Sequence, residues 1–247
     1  KVTGVQTCAL PILKHYIFSL LMCSMLAVQL QAQLLTESFD GSTFPPTGWT
    51  NTKISGAASP GTWQRLTSGT NPTATPQSGA GMAYYNCYSW SSGNAAELAT
   101  PALNFSSGTF SVSFWMYRDA GQPTKYDSVS VYVNTINSSS GGFRLGLINR
   151  ARNLTPAESA DGWYQYTFNI PASYNTATNH IIFKATSDFG NRVYIDNVSV
   201  FEQVQTADPI SITASSASIC TGQGTTLYAN GIDGTVYWYS DSCGGNL

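Results

Sequence analysis

Among the residues able to do chemistry, Asp196 stands out by its neighbours. With Tyr194, Val198 and Val200 it occupies one face of a run that alternates as a strand. A carboxylate among apolar side chains is costly unless a cation or several hydrogen-bond donors compensate it. Calcium meets that need, since it takes roughly six to eight oxygens from carboxylates, carbonyls and water. Two other readings stay open: Asp196 faces solvent beside Asn197, or it accepts backbone N–H groups at a β-bulge.

Outward aromatics are the second chemical feature. If Phe110, Val112, Phe114 and Met116 point inward, Trp115 and Tyr117 point outward, and Tyr132 does the same on its own strand. Such rings stack on sugars, or else cover loops and pack a second layer; Trp49, Trp63, Trp90 and Trp163 read as core or loop anchors. Catalytic readings have little support. His180 opens an Ile/Phe strand, and the sequence holds no Gly-x-Ser-x-Gly elbow, no His-Glu-x-x-His pair and no phosphate-binding glycine loop. Of the glutamates Glu37, Glu97, Glu158 and Glu202, Glu37 has a second acid close by in sequence, Asp40, and that pair is already the calcium candidate. Arg144, Arg150 and Arg152 form the one basic cluster and read as a solvated loop. The chain is therefore read as a binding protein and not an enzyme.

The elements that must position these residues are strands. Besides Phe110 to Tyr117, period-two patterns run through Val129, Val131 and Val133, through Tyr164, Tyr166, Phe168 and Ile170, through Ile181 to Ala185 and through Val193 to Phe201. Gly, Pro, Asn and Ser clusters separate them, and no stretch keeps a helical period. This predicts two packed antiparallel sheets, with Phe110, Val112, Phe114, Val129, Val131, Val133, Phe168, Ile181, Phe183 and Val198 buried.

Composition bounds the setting. Only 10% of residues are charged while 13% are aromatic, and Ser, Thr, Asn and Gly fill much of the rest, as in hydroxyl-rich extracellular β proteins. All 13 acidic residues follow Ala32, whereas Lys1 and Lys14 precede it, so the later chain is acidic and has no basic field for nucleic acid. Residues 1–12 read as a sequencing-adapter artefact. Residues 13–32 read as a signal peptide: a cationic stub, an apolar run from Tyr16 to Val28 too short for the roughly 20 residues of a membrane span, and Ala32 before the cut. The rivals are a membrane anchor and a lipoprotein signal at Cys23, where Met22 stands in place of a small residue. Nothing later is apolar enough to cross a membrane. Removing the leader leaves Cys87, Cys220 and Cys243, an odd set for an oxidising compartment.

Residues 33–203 form the main domain, 204–209 a linker, and 210–247 the start of another unit. In the first, Glu37-Ser38-Phe39-Asp40, Phe44-Pro45-Pro46-Thr47-Gly48-Trp49, Gly61-Thr62-Trp63, Ala96 to Leu103, Val112 to Trp115 and Val193 to Val198 resemble the choice-of-anchor J and cleaved-adhesin group of secreted bacterial proteins, itself similar to MAM domains. The resemblance implies a jelly-roll-like antiparallel sandwich, used in adhesion or beside secreted enzymes and often calcium-bound. It carries the ion onto Glu37, Asp40 and Asp196. The stretch from Ile219-Cys220 through Trp238-Tyr239 to Cys243 is similar to immunoglobulin-like repeats of bacterial surface proteins, which implies a partial immunoglobulin-like sandwich and further domains downstream. Cys220 and Cys243 are disulfide candidates, and the repeats' additional cysteines imply that at least one of them awaits a partner beyond Leu247. The expected function is secreted or surface-attached recognition of an extracellular glycan or protein. The alternatives are an accessory domain of a secreted protease or glycoside hydrolase, and a spacer in a surface fibre.

Overall fold

The computed structural model describes residues 32–106, 108–203, 211–215 and 226–230. Most of the signal peptide, the linker 204–209, Cys220 and Cys243 lie outside the described residues. The chain divides into two compact units, one spanning Gln31–Gln203. In the other, two short strands, Ser211–Ala214 and Leu227–Asn230, pair antiparallel.

The Gln31–Gln203 unit is a sandwich of two antiparallel sheets. Its strands are β1 (Ala32–Glu37), β2 (Thr50–Ser55), β3 (Gln64–Leu66), β4 (Met82–Tyr85), β5 (Ala95–Ala99), β6 (Phe110–Arg118), β7 (Ser128–Asn134), β8 (Phe143–Asn149), β9 (Gly162–Asn169), β10 (His180–Thr186) and β11 (Val193–Glu202). One sheet runs β3-β4-β11-β6-β9, with β1 also on β11; the other runs β2-β5-β10-β7-β8. From β4 to β7, and again from β8 to β11, the chain alternates between the sheets, which gives the expected jelly-roll-like architecture.

The alternation in sequence builds the layers. Phe110, Val112, Phe114 and Met116 of β6 enter one core with Val129, Val131 and Val133 of β7 and with Ile181, Phe183 and Ala185 of β10. Across the sheets Phe114 meets Phe183 edge-on, with centroids 5.0 Å apart. Each such side chain contributes about 1.5–3 kcal/mol on leaving water. Of the predicted core only Phe168 is half-buried, because it lies on the edge strand β9. Trp49, Trp63 and Trp90 are buried as anchors, and the Trp63 indole donates to the Ala96 carbonyl at 3.3 Å.

The arginine reading is corrected here. Arg144 is exposed on β8, and Arg152 pairs with Asp161 at the surface, but Arg150 is fully buried. Its guanidinium meets Asp119 at 2.6 Å and Asp127 at 3.2 Å and donates to the carbonyls of Gly121 and Gln122. Arg118, also fully buried, donates to the carbonyls of Arg150, Ala151, Leu154 and Pro156. These two side chains satisfy loop carbonyls that have no strand partner, so one end of the sandwich is tied by ions and not by ladders.

Candidate functional site

The site is built on the outer face of the β3-β4-β11-β6-β9 sheet. On β11, Ile195 opposes Met116 and enters the core, whereas Asp196 opposes Trp115 on the outer face. A bulge between Asp196 and Ser199, with Asn197 at φ 47°, then shifts the alternation by one residue, so that Val198 and Val200 return inward. This corrects the expected face: Asp196 shares its side of the sheet with Tyr194 but not with Val198 and Val200. One inserted residue reverses every later side chain.

Asp196 is nonetheless fully buried, because the loop 67–81 between β3 and β4 folds over this face. Tyr194 donates its hydroxyl to the Thr70 carbonyl at 2.8 Å, and the Trp163 indole donates to the Thr75 carbonyl at 3.0 Å. The loop is pinned by two carboxylates. Asp196 Oδ2 accepts the N–H groups of Gln77 at 2.8 Å and Ser78 at 3.5 Å, while Oδ1 accepts the N–H of Asn197 at 2.7 Å. Asp40 Oδ1 accepts the N–H groups of Ala80 and, at 3.1 Å, Gly81. Between them Gly79 takes φ +64°, and a Cβ there would stand 2.2 Å from Asp40 Oδ2.

The two acids respond in opposite directions. Desolvation pushes the Asp196 carboxyl up to about 6 and the Asp40 charge adds to it, against the N–H groups of Asn197, Gln77 and Ser78. Asp40, exposed, is held below 3.8 chiefly by the Ala80 N–H and the Ser38 hydroxyl, with a smaller contribution from the Arg65 charge. Glu37 stands apart: its Oε1 accepts the Phe39 N–H at 2.6 Å. Among the described residues no three His, Cys, Asp or Glu side chains form a metal-holding group, so the structure gathers Asp40 and Asp196 around one loop without closing the set with Glu37.

The outward aromatics separate. Tyr117 stacks edge-on against Trp163 at 5.5 Å and Tyr194 at 6.4 Å under the loop 67–81. Tyr132 lies on β7 in the opposite sheet, so it shares no surface with them. Trp115 alone of the three lines an open groove of about 850 Å3 along β1, β11, β6 and β9. Around it stand Gln33, Ser113, Gln165, Thr167, Ser199 and Gln203. Gln33 donates to Ser199 at 3.0 Å and Gln203 to Ser111 at 2.9 Å, which fixes amides and hydroxyls across neighbouring strands. Sequence reasoning passed over these polar residues, although the alternation that turns Trp115 outward does the same for Ser111 and Ser113. Glu37, Ser38 and Asn197 line the same groove, so the loop pinned by Asp196 ends at its wall.

His180 places Nδ1 2.8 Å from the Thr100 carbonyl, a strand-end contact and not a catalytic dyad. Cys87 is a free, fully buried thiol, pushed well above its ordinary 9.0 by desolvation and then by the Asp127 charge. Iodoacetamide at pH 8 is therefore expected to leave Cys87 unmodified in the native protein and to alkylate it after guanidinium unfolding, as read by peptide mass. Native labelling as fast as a free thiol's would contradict this burial.

No family model matches the sequence, and no curated protein does. Among solved structures, the fold is similar to the K3 cleaved adhesin domain of Lys-gingipain from Porphyromonas gingivalis W83, at 20% identity and TM-score 0.48 over 69% of this chain and 98% of that one. It is also similar to the K1 domain of the same protein, at 17% identity and TM-score 0.47 over 67% and 96%. The carbohydrate-binding module TmCBM61, solved with beta-1,4-galactotriose, gives 17% identity and TM-score 0.43 over 67% and 94%. Cleaved adhesin domains, the group that the motifs resemble, are thus among the similar structures. At these values the architecture rests on the strand pairing of this chain and not on the likeness.

Proposed function

We propose that the sandwich is a non-catalytic module of an exported protein that holds a neutral glycan chain in the groove along β1, β11, β6 and β9. The observation that carries this reading is the lining itself. Trp115 offers a partly exposed ring for stacking on a sugar's C–H face, hydroxyl and amide side chains surround it, and Glu37 is the one ionisable residue among those that line the groove. A spacer has no need of a preset row of hydrogen-bonding groups beside an outward Trp. The hydroxyl-rich, weakly charged composition supports action outside the cell, and among the described residues no helix is long and apolar enough to cross a membrane.

Calcium belongs to this proposal at the loop 67–81. Asp196 is buried with only backbone N–H groups as partners, and Asp40 approaches the same loop, so two carboxylates are available to an oxygen-seeking cation that would fix the groove wall. Those N–H groups already compensate much of the charge, so the ion's part is to tighten a loop that is formed without it.

The groove is tested by isothermal titration of the full chain with soluble xylan, galactomannan and galactan. Binding of at least one polymer is expected, with Trp115→Ala weakening it about tenfold or more, equivalent to ~1.4 kcal/mol. Trp115 is outside the inter-sheet core, so the variant keeps its fold. No binding by the wild type, or equal binding by the variant, removes the groove reading.

A further inference from the structure

We infer that the loops at the Arg150 end of the sandwich carry a second saccharide site, displayed by Tyr88, Tyr126 and Phe189. The three are 45%, 61% and 54% exposed, whereas among the other described aromatic side chains of this unit only Phe143 is exposed. Each sits on a different crossing between the sheets: Tyr88 between β4 and β5, Tyr126 between β6 and β7, Phe189 between β10 and β11.

Hydrogen bonds draw these crossings together. Asp188 accepts the Tyr126 N–H at 3.1 Å and the Ser92 hydroxyl at 2.9 Å. Ser187 donates its hydroxyl to the Trp90 carbonyl at 2.6 Å, two residues beyond Tyr88. Asp127, itself held by Arg150, accepts the N–H groups of Asp188, Gly190 and Asn191. At Gly190 an added Cβ would lie 2.0 Å from Asp127 Oδ2, so the loop can close this tightly only over glycine.

Phe189, between two residues whose N–H groups Asp127 fixes, takes φ +60°. A bulky side chain in the left-handed region is strained, and glycine would occupy the position without strain. The side chain contributes little buried packing in return, since more than half of it is exposed. An exposed, strained phenyl ring on a loop locked by a buried ion pair is preorganised for contact with something outside the chain.

The surroundings suit a sugar. Ser92, Asp188 and Asn191 on the same crossings carry hydroxyl, carboxylate and amide groups, with Ser92 bonded to Asp188 and Asn191 to Asp119, and Lys125 offsets the Asp188 charge, so neither sign dominates. Aromatic rings take the C–H face of a neutral saccharide while these groups bond its hydroxyls. Because the contributors come from loop ends and not from a length of sheet, the surface fits a chain terminus, in contrast to the groove at Trp115. The inference does not rest on the groove reading.

The test is binding of the full chain to an array of immobilised neutral gluco-, galacto-, manno- and xylo-oligosaccharides, with sugar-free linker as control. Phe189→Gly is expected to weaken, at least tenfold, binding to oligosaccharides that Trp115→Ala still retains. It should melt no lower than wild type, since glycine relieves the strain. Array binding by Phe189→Gly equal to wild type overturns the site, and so does a lowered midpoint, which would make Phe189 structural. Equal retention on bare linker overturns the saccharide assignment and points to a protein surface. Loss of all binding in Phe189→Gly with none in Trp115→Ala upholds this site and removes the groove instead.

Discussion

Arg150→Ala is expected to destabilise the sandwich by about 3–5 kcal/mol, because it leaves Asp119 and Asp127 buried without their cation. The carbonyls of Gly121 and Gln122 lose a donor at the same time. For a domain of this size the loss lowers the melting midpoint by roughly 6–20 °C. Arg144→Ala and Arg152→Ala are the controls. Arg144 is exposed, and the Arg152–Asp161 pair, at 32% and 49% side-chain exposure, is a surface pair worth about 1 kcal/mol or less. Urea titration of the three variants separates them. A loss below about 1 kcal/mol in Arg150→Ala would mean that water reaches the cluster and that the buried pair is not what holds these loops. The aromatic loops should fail together with it, since Asp127 links Arg150 to the backbone of residues 188 to 191.

Asp196 should give the protein an unusual pH dependence. Its folded-state pKa, pushed up to about 6 from an ordinary 3.8, means that the fold prefers the protonated acid. The contribution is full below 3.8 and is lost as pH rises through 6. At 1.36 kcal/mol per tenfold the rise corresponds to roughly 3 kcal/mol, so wild type should weaken between about pH 4 and pH 6.5 relative to Asp196→Asn. Asp40 and Asp188, both held low by backbone N–H groups, lose their contributions only as pH falls below 3.8 and leave this window clear. Calcium held as proposed is expected to reverse the sign, because a bound cation favours the ionised carboxylate. At pH 7 a hundredfold excess over Kd should then add about 2.7 kcal/mol, and at pH 4.5 little. Melting in millimolar calcium and in chelator at both values reads both effects. Identical midpoints at pH 7 would remove calcium and leave the loop 67–81 on its N–H contacts alone, whereas parallel curves for wild type and Asp196→Asn would show that Asp196 titrates normally.

The all-β sandwich was legible because period-two alternation is a local property. Phe110 to Met116, Val129 to Val133 and Ile181 to Ala185 each declare a buried face within a few residues, and the tertiary structure uses those faces as written. Asp196 was legible as a buried carboxylate, but not the side of the sheet on which it lies. That depends on one bulge at Asn197, whose register is set by pairing with β6 more than 80 positions away in the chain. Trp115 could be placed outward from its own strand, while the separation of Tyr117 beneath the loop 67–81 and of Tyr132 on the other sheet depended on which strands pair. The least legible feature was the clamp of Arg118 and Arg150. Three nearby arginines in sequence look alike, and only the folding of the loops 119–127, 150–158 and 187–191 around one of them excludes water and makes its charge structural. Sequence fixes what a strand shows to each side, since alternation needs only adjacent residues; tertiary structure decides which loop covers an outward face, since that depends on contacts between residues far apart in the chain.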